Sequence, residues 1–118
     1  MRLFKRKPQA ATGVGATFCA SHRDQISGQV HGHSYHVKAW LPFSAASSAT
    51  VQQHTLKTIV ARLDHTTLPD RLAWAEKLAE HIFHAMRTEH SWYDGSTSSV
   101  LWVEVSRPLE DLYARWPA

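Results

Sequence analysis

Apolar residues recur at every second position in three parts of the chain, which is the pattern of strands that bury one face. The first two runs are joined by a loop that contains Gly28, so we expect them to pair as neighbours. Pro42 closes the second run, because proline cannot continue the hydrogen-bond ladder of a strand. The predicted strands cover residues 14–22, 31–41 and 100–106, and a last strand or extended tail is expected over residues 112–116.

Between the second and third strands, apolar residues follow a spacing of three and four, which predicts two amphipathic helices. The first helix is expected at about Val51 to Leu63. The second is expected to end near Thr88, with Asp70 as its N-cap. The element order ββααββ favours an α+β fold in which an antiparallel four-stranded sheet carries both helices on one face.

The composition fits one domain that spans residues 1–118, since 43% of the residues are hydrophobic and 19% are charged. The net charge of +3 suggests a nucleic-acid ligand until the charges are located. Four of the thirteen basic residues lie within residues 1–8, a predicted flexible tail, which leaves nine basic against ten acidic residues in the remainder. We therefore expect no nucleic-acid partner.

A single cysteine, Cys19, excludes a disulfide framework and a cysteine-based zinc cluster. The basic start of the chain is followed by a polar, glycine-rich segment instead of the apolar core of a secretion signal. No run approaches the roughly 18 apolar residues of a membrane span. These features predict a cytoplasmic protein without membrane association.

Histidine is the unusual feature of the composition, with nine residues in the chain. His31 and His33 are two positions apart on a predicted strand, so both imidazoles project from one face. His22 ends the preceding strand on the face that also carries Phe18. If the strands pair, three imidazoles converge at one edge of the sheet, and three nitrogen ligands with a vacant fourth position are typical of catalytic zinc. For the His31 and His33 pair alone, the alternative is two surface histidines.

Asp64 and His65 follow the first predicted helix and form the next candidate. A carboxylate beside a histidine can orient the ring and hold it protonated, which suits a proton donor. The alternative is a polar pair at the end of a helix. His36 lies on the opposite face of its strand, and His54 and His90 have no metal-like spacing, so these three are interpreted as solvated. His81 and His84, three positions apart on the second helix, are interpreted as part of a half-exposed helix face.

Three motifs in order resemble the 6-pyruvoyl-tetrahydropterin synthase / 6-carboxy-tetrahydropterin synthase family. Phe18–His22 reads FCASH, His31–Tyr35 reads HGHSY, and Leu63–His65 reads LDH. The resemblance implies a tunnelling fold, a barrel-forming homo-oligomer that is a hexamer or another multiple of trimers, and a lyase of tetrahydrobiopterin or queuosine biosynthesis. It also implies a pterin-like small-molecule ligand, namely dihydroneopterin triphosphate or a related pterin, and loss of triphosphate.

The same resemblance implies roles for single residues. His22, His31 and His33 would hold Zn²⁺, and Asp64 with His65 would relay protons. Glu104 matches the glutamate that anchors the pterin in this family, although a competing register puts Arg107 at that position. The synthases carry a cysteine base where this chain has Ser27, and a serine hydroxyl is much harder to ionise than a thiol.

The sequence leaves two functions open. The first is a zinc-dependent enzyme of the tetrahydropterin-synthase type, in which Ser27 or a metal-bound water serves as the base. The second is a non-catalytic, oligomeric relative that keeps the zinc site and binds a pterin or purine-like ligand. Ser27 favours the second hypothesis, and the intact pair of Asp64 and His65 favours the first.

Overall fold

A computed structural model of the chain describes residues 10–42, 49–94 and 100–118, so the predicted basic tail lies outside the described residues. The described part contains five strands, two α-helices and two short 3-10 turns. The strands are β1 (Ala11–Arg23), β2 (Val30–Pro42), β3 (Thr66–Thr67), β4 (Trp102–Arg107) and β5 (Leu112–Trp116), the helices are α1 (Ala49–Ala61) and α2 (Ala75–Asp94), and the turns are Asp70–Leu72 and Pro108–Glu110.

The strands form one sheet in the order β3-β1-β2-β4-β5. All neighbours pair antiparallel except β3, which runs parallel to β1. The α+β class is confirmed, but the expectation of a purely antiparallel four-stranded sheet is wrong, because the sheet is mixed and has five strands. The two residues of β3 are too few to show alternation, and they are held by hydrogen bonds from the chain on either side: the His65 amide donates to the Cys19 carbonyl and the Leu68 amide to the Ser21 carbonyl.

The strand register puts alternate residues of β1, β2 and β4 on one buried face. Ala16 lies opposite Val37, and Val37 lies opposite Val105. Both helices pack against this sheet, α1 on β1 and α2 on β4 and β5, and their apolar stripes complete one core. The fully buried apolar residues of the helices are Leu56, Leu78, Ala79, Ile82 and Met86.

Two predicted boundaries of the second helix are wrong. Asp70 is not the N-cap of α2, because it opens a separate 3-10 turn and its carboxylate binds Arg23 at the end of β1. The helix also continues to Asp94 instead of ending near Thr88. The apolar repeat stops at Met86, but neither glycine nor proline interrupts the chain before Gly95, so the helix persists beyond its buried stripe.

None of the helices within the described ranges combines the length and the apolar character that crossing a membrane requires.

Candidate active site

The pairing of β1 with β2 brings the predicted zinc histidines to one end of the sheet. His22 lies opposite His31, and Ala20 lies opposite His33. Because alternate residues share a face, all three histidines lie on the face that carries the hydrophobic core. They extend this face beyond its last aromatic layer, where the rings of Phe18 and Tyr35 stack with centroids 4.8 Å apart.

The three histidines line a cavity of about 430 Å³ between the sheet and the start of α2. The loop after β1 forms another wall, and Arg107 and Leu112 close the cavity from β4 and β5. The lining residues are His22, Arg23, Asp24, Gln25, Ile26, His31, His33, Ala73, Trp74, Ala75, Glu76, Arg107 and Leu112.

His22 and His33 are in direct contact. Their Nε2 atoms are 2.9 Å apart, and the rings stack with centroids 4.8 Å apart at an angle of 20°. Two imidazole nitrogens that face each other so closely must share a proton or a metal ion, since two bare lone pairs repel. The contact therefore marks a point at which both rings direct a nitrogen.

Glu110 holds the other side of the His33 ring. Its Oε1 lies 2.7 Å from Nδ1 of His33, whose side chain is only 14% exposed. Burial lowers the pKa of His33 below its usual value, although the hydrogen bond with Glu110 opposes that shift. The same hydrogen bond lowers the pKa of Glu110. His33 is thus favoured as the neutral ring that a metal needs, with a carboxylate as its outer partner, as in many zinc sites.

The spacing of His22 and His33 fits a zinc ion, but the three histidines do not form a complete metal site. Tetrahedral zinc with Zn–N bonds of about 2.0–2.1 Å separates its ligand nitrogens by about 3.3 Å, close to the spacing of His22 and His33. Within the described residues, no group of three or more His, Cys, Asp or Glu side chains is close enough to hold a metal ion. His31 lines the same cavity and is exposed, but it does not join His22 and His33 in such a group.

Asp64 and His65 form an anchored pair outside this cavity. Nδ1 of His65 lies 3.0 Å from Oδ2 of Asp64, while Oδ1 accepts the amide N–H of Cys19 at 2.9 Å. That backbone hydrogen bond is the main reason why the pKa of Asp64 is lowered, with a further contribution from His65. His65 has a φ of 58°, so the chain turns sharply and leaves the imidazole exposed.

The imidazole of His65 lines a second depression of about 470 Å³, which also borders Cys19 and Ser34. This depression touches His33 and Glu110 as well, so the two sites are neighbours on the molecule. The structure therefore brings His22 and His33 into contact, with His31 on the wall of the same cavity, and it places the Asp64 and His65 pair in a neighbouring surface site.

Ser27 lies at the tip of the loop between β1 and β2. Asp24 organises this loop, because its Oδ1 accepts the amide N–H groups of Ile26 at 2.7 Å and of Ser27 at 2.9 Å. The Ser27 hydroxyl accepts the amide N–H of Gln29 at 3.2 Å. Ser27 is exposed and does not line the histidine cavity of its own chain, although its neighbours Gln25 and Ile26 do.

Glu104 and Arg107 lie on opposite faces of β4. In the strand register, Glu104 lies opposite Lys38 of β2 and Arg115 of β5. Its side chain lines a depression on the outer face with Trp40 and Trp102. Arg107 shares the inner face with Val103 and Val105 and reaches the histidine cavity. Of the two registers left open by the sequence, the structure places the Arg107 side chain beside the histidines and Glu104 away from them.

Sequence reasoning missed Glu110. It follows the last core strand in a short 3-10 turn, 77 positions from His33, and no spacing in the sequence links the two. The turn begins with Pro108 and ends at Asp111 in the left-handed conformation, but neither residue predicts the contact with His33 from the sequence.

Comparison with known proteins places this architecture in a family of small α+β enzymes that act on pterins. The model of the 6-pyruvoyl tetrahydropterin synthase family matches residues 13–114, and the chain belongs to this family. The resemblance inferred from the three histidine-containing motifs is thereby confirmed. A comparison with curated proteins finds no significant match.

Two solved structures share the fold. The 6-pyruvoyl tetrahydropterin synthase of Caenorhabditis elegans superposes with a TM-score of 0.70 at 14% identity, over 98% of this chain and 99% of that chain. The Plasmodium falciparum 6-pyruvoyl tetrahydropterin synthase has a TM-score of 0.61 at 16% identity, over 92% and 97% of the two chains. The fold is therefore the same over almost the whole chain, while the sequences have diverged widely.

Proposed function

We propose that this protein is a cytoplasmic, zinc-dependent lyase of the tetrahydropterin-synthase type. It acts on dihydroneopterin triphosphate or a related pterin, with loss of triphosphate. The observation that carries the proposal is the contact between His22 and His33 at the wall of a 430 Å³ cavity, with Glu110 on the outer nitrogen of His33, in a chain of the synthase family.

His22, His31 and His33 would hold the zinc ion. Glu110 accepts the Nδ1–H of His33, and this leaves the Nε2 lone pair for the metal. When bound, zinc supplies Lewis acidity that polarises the side-chain hydroxyls of the substrate and acidifies the adjacent C–H bonds. The cavity walls would shield one side of a bound ligand from water, and Trp74 offers a flat, exposed ring at the rim.

Asp64 and His65 would move protons. Asp64 fixes Nδ1 of His65, so Nε2 remains free to accept a proton from a substrate carbon or to return it. Because the His65 ring borders a depression separate from the histidine cavity, we propose that the pair serves the cavity of a neighbouring subunit.

Exposed apolar residues support such an assembly. Ile26, at the cavity rim, is 99% exposed, and Leu109, beside the His65 depression, is 88% exposed. Large apolar side chains at the edges of both sites are typical of surfaces that a partner covers. A homo-oligomer built from trimers would bring the loop of one subunit, including Ser27, to the proton-relay pair of the next, and there Ser27 would act as the base.

Turnover by the full-length, zinc-loaded protein tests the proposal. Incubation with dihydroneopterin triphosphate should release triphosphate and convert the pterin. His33→Ala should reduce turnover by at least about 100-fold, because the variant loses a metal ligand. The matched control is His36→Ala, since His36 lies three positions further on β2 but on the opposite face.

Equal turnover in His33→Ala and the unaltered protein would contradict the proposed site. A protein that binds zinc and the pterin but releases no triphosphate would instead be the non-catalytic relative.

A further inference from the structure

The histidine cavity contains an arginine that forms no ion pair within the described part of the chain. Arg107 reaches the cavity from the end of β4, and its Nε is buried without a hydrogen-bond partner among the described residues. Two other arginines form ion pairs, Arg23 with Asp70 and Arg62 with Glu89. A buried guanidinium nitrogen without an acceptor costs free energy, so its retention in a cavity indicates that a ligand supplies the acceptor.

Arg107 interacts with the Tyr35 hydroxyl and with the charge of Glu110, but neither supplies a hydrogen bond to its Nε. Glu110 is bound to His33, and the Asp24 carboxylate accepts two amide N–H groups of its own loop. Glu76 also lines the cavity, but its side chain is exposed at the first turn of α2. The Nε of Arg107 therefore remains available to an acceptor that enters the cavity.

The wall contributed by α2 adds to the positive potential. The cavity is lined by residues 73–76, which lead into the 20-residue helix α2 and include its first two residues. The first N–H groups of a helix have no partner within the helix and carry a partial positive charge. Together with Arg107, this wall favours a ligand whose oxygen atoms carry negative charge, and Glu76 offsets only part of that preference.

We infer that Arg107 determines specificity by receiving an anionic oxygen group of the ligand in the histidine cavity. The protein would therefore select an acidic heterocycle, with a carboxylate or phosphate group, over a neutral one. This inference rests on the proposed function in taking the heterocycle to be a pterin. A planar guanidinium binds carboxylate and phosphate through paired hydrogen bonds, which a lysine ammonium cannot reproduce.

Calorimetric titration of the full-length, zinc-loaded protein with three probes tests the inference: 6-carboxypterin, unsubstituted pterin and inorganic triphosphate. The unaltered protein should bind 6-carboxypterin at least about tenfold more tightly than pterin, and Arg107→Gln should abolish that preference. Arg107→Lys should restore part of it, because a point charge remains. Arg115→Gln is the matched control, since Arg115 lies over Trp102 on the outer face.

The results distinguish whether Arg107 binds a carboxylate or the phosphate chain of the ligand. Loss of the carboxylate preference alone assigns Arg107 to a carboxylate, and loss of triphosphate affinity alone assigns it to the phosphate chain. If Arg107→Gln folds as the unaltered protein does by circular dichroism and changes neither affinity, the inference is overturned. If both pterins fail to bind while triphosphate binds through Arg107, the inference stands and the proposed pterin substrate does not.

Discussion

The contact between Glu110 and His33 shows how one residue can prepare another for metal binding. An imidazole can bind a metal through Nε2 only if Nδ1 carries the proton, and a carboxylate acceptor on Nδ1 stabilises that tautomer. Glu110 lies 2.7 Å from Nδ1 of His33, while Nε2 points to His22. The strength of the proposed zinc site should therefore depend on a residue that does not touch the metal.

Glu110→Gln should weaken zinc binding by about 10- to 100-fold, because the amide is a poorer acceptor for the His33 ring. Competition with a chelator of known affinity measures the change. Glu104→Gln makes the same substitution on the outer face of the sheet and should leave zinc affinity unaltered. Equal affinities in all three proteins would show that the contact with Glu110 has no role in metal binding.

Asp64 should make stability depend on pH. Its carboxylate accepts the Cys19 amide N–H and binds His65, and its pKa is lowered relative to the unfolded value of about 3.9. A carboxyl group with a lowered pKa stabilises the fold above its unfolded pKa, and this stabilisation disappears as the pH falls through the folded pKa. Asp64→Asn keeps the size of the side chain but loses the charge.

Asp64→Asn should therefore unfold at a lower urea concentration than the unaltered protein at pH 7, and the two midpoints should approach each other below about pH 4. The series of midpoints between pH 7 and pH 2.5 measures this. A difference that stays constant across the series would mean that the ionised form of Asp64 makes no special contribution.

At the scale of elements, the spacing of apolar residues predicted the long strands and helices but not the short strand β3. The strands of 13 residues and both helices were evident from their apolar repeats, and so was the shared face of His22, His31 and His33. The two-residue strand β3 was not, because it exists through hydrogen bonds to β1 and carries no repeat of its own.

The position of Arg107 was undecided for a different reason. Both faces of β4 carry large apolar residues, since Trp102 lies on the outer face and Val103 and Val105 on the inner face. Alternation alone therefore does not say which face is buried, and only the pairing with β2 places Arg107 in the cavity. The role of Glu110 could not be predicted from the sequence for a similar reason, because its contact with His33 depends on the tertiary fold.

The stability of the sheet should depend on the buried stripe of α2. Leu78 is fully buried, so Leu78→Ala should lower the free energy of unfolding by about 2–5 kcal/mol. Val30→Ala also shortens an apolar side chain, but one that is 60% exposed, and should alter it by less than about 0.5 kcal/mol. Urea unfolding of both variants measures the difference, and similar values for the two would contradict the described packing of α2.

At the scale of the whole molecule, we expect the proposed active site to be divided between subunits. The histidine cavity and the His65 depression are adjacent on one chain but do not merge. The exposed residues Ile26 and Leu109 lie at their edges, where a neighbouring subunit would cover them. Light scattering should therefore find an assembly several times larger than the 13.3 kDa chain.

Mixing two inactive variants tests whether subunits share the site. His33→Ala lacks a zinc ligand and His65→Ala lacks the proton relay, so each alone should be inactive. Unfolded together and refolded at equal amounts, they should recover about a quarter of the activity, because that fraction of sites draws both intact residues from different chains. Mixed oligomers that form but stay inactive would show that each chain supplies its own pair.

Direct measurement of the bound metal is the most direct test of the proposed zinc site. Elemental analysis of the purified protein, combined with X-ray absorption at the zinc edge, measures the zinc content and the ligand types together. The account predicts about one zinc per chain, bound by three imidazole nitrogens and one exchangeable light atom. A well-folded protein that binds no zinc, or a zinc ion with four protein ligands, would contradict it.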